Sequence, residues 1–291
     1  MNSIWSEYIQ GAETLYRSRA LRFCDHFSDG YKKAFGIDGC GKVLEIGCGP
    51  GALAGSLARW YKGAEITGID RDAGFIKFAS KREPDIRFIT GDATELPFED
   101  SSFDVTISNT VAEHVDPSAF YAEQYRVLKE KGVCLVLSVR KSINVKAPCV
   151  DFETEFESGI WEKTADAHGE LFAKYKVGAY AQNEAEIPLN MEKYGFKDIS
   201  VDYVVSDLTP DDPKYDRKTA VAIIDSERYN DLESADALPK IAPGLVSASE
   251  TAELKRLINE KYDRRTELYD SGKKQWDTAT SVIMVVRGIK Y

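Results

Sequence analysis

The stretch Val43-Leu44-Glu45-Ile46-Gly47-Cys48-Gly49-Pro50-Gly51 constrains this chain more than any other. Val43, Leu44 and Ile46 make the apolar run of a strand covered on both faces. Gly47 and Gly49 permit positive φ and present no Cβ where a ligand would meet backbone. Pro50 lacks an N–H at a place where a starting helix leaves that donor unpaired anyway. Leu53, Leu57 and Trp60 then recur at helical spacing. A buried strand, a glycine turn and a helix in succession form the usual seat of a nucleotide-like cofactor in a doubly wound α/β fold.

Which cofactor depends on the elements that follow. Gly47-x-Gly49-x-x-Ala52 satisfies the loose dinucleotide pattern, and a nicotinamide-dependent dehydrogenase is the reading it offers. Glu45 argues against it, because a pyrophosphate would meet a carboxylate there, whereas a cationic amine would be paired. Glu65–Asp70 reads as a second strand that ends in an acid. Ile86–Thr90 reads as a third, closed by Gly91-Asp92-Ala93, and Phe103–Asn109 as a fourth. Val133–Val139 is a fifth, continuous in apolar residues and therefore central. The succession of Glu45-x-Gly47-x-Gly49-x-Gly51, Asp70 and Gly91-Asp92-Ala93 resembles the class I S-adenosylmethionine-dependent methyltransferases. Within them it is similar to the small-molecule group that includes the quinone-biosynthesis methyltransferases. The likeness runs from Val43 to Val139.

That resemblance implies a Rossmann-like, doubly wound, seven-stranded α/β sheet. A helical cap would occupy 1–42, the cofactor core 43–205 and 278–291, and a substrate cap 140–182 within it. Residues 206–277 separate the last two strands, which form a hairpin in the family, and read as a mostly helical insertion. The implied cofactor is S-adenosylmethionine. By resemblance, Asp70 takes the two ribose hydroxyls, with a helix N-cap as its plain alternative. Arg71 lies against the adenine, Asp92 takes the adenine amino group, and the Ala93 N–H meets a ring nitrogen. Glu45 and Asn109 border the methionine part, and Gly47, Cys48, Gly49 and Gly51 give backbone contact. Arg19 and Arg22 are candidates for the cofactor carboxylate, with Tyr16 one turn earlier on the same face; a solvated helix face is the alternative. His114 is the candidate general base, although a hydrogen-bonded structural histidine is the favoured reading. His168 and Tyr16 are the other candidate bases.

The function expected is methyl transfer to a small-molecule acceptor, with a cofactor-binding sensor lacking turnover as the alternative. The formal charge of −10 argues against a nucleic-acid partner, whose phosphates need a basic footprint. No apolar run is long enough to predict a transmembrane segment, and Met1–Glu7 does not read as a signal peptide. Five cysteines without C-x-x-C spacing indicate neither a disulfide framework nor a metal site, so a cytoplasmic protein with reduced thiols is expected. Between 140 and 182 the periodicity fades, and aromatics such as Phe152, Trp161, Tyr175 and Tyr180 line a pocket or fill a core. In the insertion, Leu254, Leu257, Ile258 and Tyr262 stripe a helix over Ser249–Ser271 that covers the pocket or pairs two subunits as a homodimer.

Overall fold

The computed structural model describes residues 5–147, 149 and 154–291. Its sheet contains β1 (Lys42–Ile46), β2 (Glu65–Asp70), β3 (Arg87–Thr90), β4 (Phe103–Asn109), β5 (Leu128–Val139), β6 (Val145–Ala147), β7 (Lys197–Leu208) and β8 (Thr278–Ile289). The order is β3-β2-β1-β4-β5-β8-β6, with β7 on the other side of β8. Strands β1 to β5 are parallel to their neighbours, while β8 runs antiparallel to β5, β6 and β7. Seven of these strands are those expected. The eighth, β6, is a three-residue piece paired with Thr278–Thr280. From β1 the chain winds outward through β2 and β3, then returns to β4 on the other flank of β1. That reversal opens a crevice beyond the carboxyl ends of β1 and β4.

Alternation along the strands divides the core. Val43, Val105, Ile107, Leu135 and Leu137 face α1 (Ala12–Arg22), α2 (Ser28–Phe35) and α3 (Ala52–Trp60). Leu44, Ile46, Val136 and Met284 face the opposite side, which contains α5 (Pro117–Val127) and α7 (Glu186–Lys193); α4 (Ala73–Arg82) connects β2 to β3. Asp116 caps α5 by accepting from the Ala119 N–H at 3.1 Å, with Pro117 at its first position. That helix ends at Val127. The end of β8 takes over there, as Lys290 Nζ donates to the Leu128 carbonyl and the Lys131 N–H to the Lys290 carbonyl.

The N-terminal region, expected as a helical cap, is helical but broken into short pieces. It consists of a π-helical turn (Trp5–Ile9), α1, a 3-10 turn (Asp25–Phe27) and α2. The break is fixed by α3, since Ser56 Oγ donates to the Phe23 carbonyl at 2.7 Å and Trp60 Nε1 to Asp25 at 2.9 Å. The faded stretch contains α6 (Glu155–Lys174), opened by a Thr154/Glu157 capping box. The insertion contains α8 (Arg217–Ile241) and α9 (Ala248–Asp270). Helices α6, α8 and α9 share a third core of Ile160, Ile224, Leu238, Leu254 and Ile258. Helix α8 also lies on α1, with the Arg17 guanidinium 4.4 Å from the Tyr229 ring centre and the Gly11 N–H bonded to Glu233. Among the described residues no helix is long and apolar enough to cross a membrane.

Candidate cofactor site

The glycine turn after β1 is stitched to the end of β2. The Gly47 and Cys48 N–H groups both donate to the Ile69 carbonyl, at 2.7 and 3.0 Å. The Gly49 N–H donates to Asp70 Oδ2 at 2.8 Å. Gly47 has φ 68°, and a Cβ built on it would lie 2.3 Å from Val111 Cγ2. Only glycine satisfies both the backbone and the space there.

Three carboxylates stand near the ends of three successive strands, in different states. Glu45 is buried, and its Oε2 makes no hydrogen bond among the described residues. Burial and the nearby Asp70 raise its pKa to about 8, against the opposing pull of the Ala54 N–H and Arg19. Asp70 accepts from the Gly49 and Asp72 N–H groups, both at 2.8 Å. Burial raises its pKa, and those two bonds work against the shift. The cap of α4 is Asp72, which accepts from the Phe75 N–H at 3.0 Å, so Asp70 is released from the capping role. Asp92 is exposed and accepts from the Thr94 N–H and hydroxyl through Oδ1, at 2.8 and 2.6 Å. Ala93 follows it, half-buried, and Arg71 is exposed. Leu96 and Phe98 pack inward, held by Arg126, which donates to both of their carbonyls.

The candidate arginines part company. Arg19 Nη2 donates to Thr110 Oγ1 at 2.8 Å, just beyond β4. Burial lowers its pKa to about 10, and Arg22 pushes it the same way; Glu113 and Glu45 oppose them. Arg22 instead donates through Nε to Ser281 Oγ at 2.9 Å, on a strand three places from β1. Its Nη1 is taken by Ser18. Tyr16 is turned toward α4, donating to Glu83 Oε1 at 2.8 Å beneath the Arg82 guanidinium.

Beyond β4, Asn109 Oδ1 is buried and unpartnered among the described residues, and Thr110 has φ 55°. A threonine held in the left-handed region is strained by about 1–3 kcal/mol, a device found at functional sites. His114 accepts from the Gly178 N–H through Nδ1 at 2.9 Å, and its ring meets Trp5 at 4.9 Å between centres. The His168 side chain and Phe152 lie outside the described residues. The structure brings together Arg19, Glu45, Gly47, Cys48, Gly49, Gly51, Asp70 and Asn109 around the β1–β4 crevice. Tyr16 and Arg22 point elsewhere. The sequence reading missed Ser6, Trp5 and Thr110; the only local signal for them was polar or aromatic character in an unpatterned segment.

The buried oxygens of Glu45 and Asn109 are what an ammonium group needs, namely acceptors already removed from water. The site therefore fits a cofactor with a cationic end better than one with a pyrophosphate.

A family model described as "Methyltransferase domain" matches residues 44–136. The chain is 40% identical over 123 residues to phthiotriol/phenolphthiotriol dimycocerosates methyltransferase 1 of Mycobacterium ulcerans, covering 40% of this chain and 45% of that one. It is 36% identical over 108 residues to the fatty-acid O-methyltransferase of Mycolicibacterium smegmatis, covering 36% and 39%. The chain thus spans less than half the length of these curated relatives. Among solved structures it is similar to phosphoethanolamine N-methyltransferase 2 of Haemonchus contortus in complex with S-adenosyl-L-methionine. That match has TM-score 0.53 and 19% identity, and covers 98% of this chain and 59% of the other. Residues 44–136 match a methyltransferase domain, and the chain has the α/β fold of the class I S-adenosylmethionine-dependent methyltransferases.

Proposed function

We propose that the protein transfers a methyl group from S-adenosylmethionine to a small-molecule acceptor. The observation that supports this most is the set of carboxylates Glu45, Asp70 and Asp92 at the ends of β1, β2 and β3, grouped about a glycine turn, with Glu45 buried and one oxygen unpartnered. In this reading Glu45 and Asn109 receive the cofactor ammonium. Arg19 pairs with its carboxylate, and Asp70 accepts from the ribose hydroxyls. Asp92 takes the adenine amino group and Ala93 donates its N–H to the ring.

The sulfonium supplies an activated methyl group and its own leaving group. What remains for the chain is to align donor and acceptor and to exclude water. Trp5 and Ser6 close one side of the crevice, and the segment after α6 closes another through Gly178 and His114. His114 accepts from the Gly178 N–H through Nδ1, which fixes its ring at the edge of the crevice. The small-molecule class of the acceptor follows the relatives, a phthiotriol/phenolphthiotriol dimycocerosates methyltransferase and a fatty-acid O-methyltransferase.

Calorimetric titration with S-adenosylmethionine tests the reading. Asp70→Ala should weaken binding by about tenfold or more, the loss of a charge-assisted pair of bonds. Equal affinity in wild type and variant, or preference for NAD, would refute the assignment. Turnover is tested by incubating the protein with labelled S-adenosylmethionine and a metabolite extract.

A further inference from the structure

One polar cluster is left over by this arrangement, and it lies on the α1 and α2 side of the sheet, at the tips of β7 and β8. Ser206 and Ser281 are directly paired across those strands, so their side chains share a face about 5 Å apart. Arg22 Nε donates to Ser281 Oγ at 2.9 Å, which turns the Ser281 hydroxyl proton toward another acceptor. Arg22 Nη2 makes no hydrogen bond among the described residues, its Nη1 being held by Ser18. Ser206 and Tyr31 are both fully buried, and neither hydroxyl has a hydrogen-bond partner among the described residues. Tyr31 lies near enough for the charges of Arg19 and Arg22 to act on its hydroxyl. Val204, two residues before Ser206 on the same face, lies against Gly30 beside Tyr31.

The cluster offers one guanidinium, which only donates, and three hydroxyls, each able to turn its proton toward an acceptor. The buried Tyr31 and Ser206 hydroxyls are costly to leave without partners. Such a set is complementary to an oxyanion, which offers acceptors only. Two further charges bear on it: Glu227 of α8, which acts on Arg22, and Lys146 of β6, which pairs with Glu227 at 3.1 Å. Glu227 is thus shared between Arg22 and the exposed Lys146. Arg22 follows Arg19 by one helical turn, about 4.5 Å along the axis. Helix α1 therefore carries one guanidinium beside the cofactor crevice and a second displaced toward β8.

We propose that Arg22, Ser206, Ser281 and Tyr31 anchor an anionic oxygen group, a carboxylate or a phosphate, on the methyl acceptor. The assignment to the acceptor rests on the methyltransferase reading above, while the anion site itself does not. It separates the two arginines by task, with Arg19 for the cofactor and Arg22 for the acceptor.

The test is calorimetric titration of the full chain with inorganic phosphate and with acetate, without cofactor. The variants are Arg22→Gln, Ser206→Ala and Tyr31→Phe. Wild type should bind at least one anion. Arg22→Gln should weaken it by about tenfold or more, and each hydroxyl deletion by about threefold or more. Phosphate alone assigns a phosphorylated acceptor, acetate alone a carboxylate, and both the shared oxyanion chemistry. No binding of either anion to wild type overturns the proposal. So does wild-type affinity in Ser206→Ala and Tyr31→Phe, which remove one oxygen each and test the site even if Arg22→Gln fails to fold. S-adenosylmethionine titrated into the same preparations keeps the two readings apart. Arg22→Gln should bind it within about twofold of wild type. A tenfold loss would return Arg22 to the cofactor and overturn the proposal. Absence of cofactor binding in wild type would refute the methyltransferase reading while leaving the anion result standing.

Discussion

Ser6 donates to the Asp72 carboxylate twice, through its N–H at 2.8 Å and its hydroxyl at 2.9 Å. The same carboxylate caps α4 at the Phe75 N–H. Two residues along the π-helical turn, Tyr8 stacks on Tyr175 at 5.7 Å, and Trp5 meets His114. A five-residue segment thus reaches from the end of β2 to the end of β4 and onto the close of α6. The strands that carry Asp70 and Asn109 are bridged above the crevice by residues with no role in the core.

Removing the Ser6 hydroxyl should loosen this bridge without unfolding the protein. In Ser6→Ala, global stability should stay within about 0.5 kcal/mol of wild type, as for other surface changes. Amide exchange around residues 8–10 should quicken by about threefold or more, since local opening costs less than global unfolding. Asp72→Ala should do the same and also lose about 1 kcal/mol of cap energy. Hydrogen exchange read by mass spectrometry decides it; unchanged exchange in Ser6→Ala would mean the hydroxyl contributes nothing to holding the turn.

Glu45 makes stability and binding depend on pH. Its pKa rises on folding from 4.5 to about 8, chiefly through burial. The folded chain then holds a proton that the unfolded chain has lost, so this group's contribution to stability falls from about pH 4.5 up to about pH 8. Glu45→Gln should flatten the slope in that window, measured by denaturant midpoints at a series of pH values. An ammonium brought beside Glu45 lowers its pKa again. Cofactor binding near pH 7 should therefore release up to about one proton, seen as a dependence of calorimetric heat on buffer ionisation. Glu45→Gln should abolish that dependence, and a wild type that releases none would remove Glu45 from the ammonium site.

The legible half of the molecule is the half whose backbone dictates residue type. Gly47 must be glycine because both its φ and Val111 demand it, and Asp70 must end β2 to meet the Gly49 N–H. Such requirements leave a local pattern. Helix α8 left none, because Pro239 in its last turn and the prolines before Arg217 resemble loop punctuation. Helix α6 packs Ile160 and Trp161 against α8 and α9 but leaves Phe156 and Phe172 exposed, so its apolar residues do not form a single stripe. The contact between Ser6 and Asp72 spans 66 residues, and nothing near either residue announces it. Arg22 illustrates the limit from the other side. Its spacing from Arg19 shows that both lie on one helix, but only the placement of Thr110 and Ser281 separates their surroundings.

Arg265 on α9 fastens the insertion to the chain just before β8. It is buried and donates to Asp211 at 2.8 Å and to Asp277 at 2.7 and 2.9 Å. Asp211 also accepts from the Gln275 and Trp276 N–H groups, at 2.7 and 3.0 Å. Replacing Asp211 by alanine leaves two backbone donors without an acceptor and removes one of the two carboxylates that pair with a buried guanidinium, Asp277 remaining. The expected loss is about 3–5 kcal/mol, the range for breaking a buried pair from one side. Asp211→Asn keeps an acceptor and should recover part of it. Thermal unfolding of the three proteins gives the comparison, and a Tm for Asp211→Ala within about 2 °C of wild type would show the clamp to be dispensable.

The last prediction concerns the turn itself. Gly47→Ala imposes two penalties that can be separated: a residue with a side chain at φ 68°, and a methyl group 2.3 Å from Val111 Cγ2. The backbone part is about 1–2 kcal/mol and belongs to any L-residue. The contact part depends on Val111, which sits in the segment beyond β4, so the methyl group would push the Asn109–His114 stretch away from β1. Gly47→Ala should lower both stability and cofactor affinity. Adding Val111→Ala makes room for the methyl group and should restore affinity more fully than stability, since the φ penalty remains and a partly buried side chain is lost. If the double variant binds no better than Gly47→Ala, the glycine serves the backbone alone and the approach of Val111 plays no part in shaping the crevice.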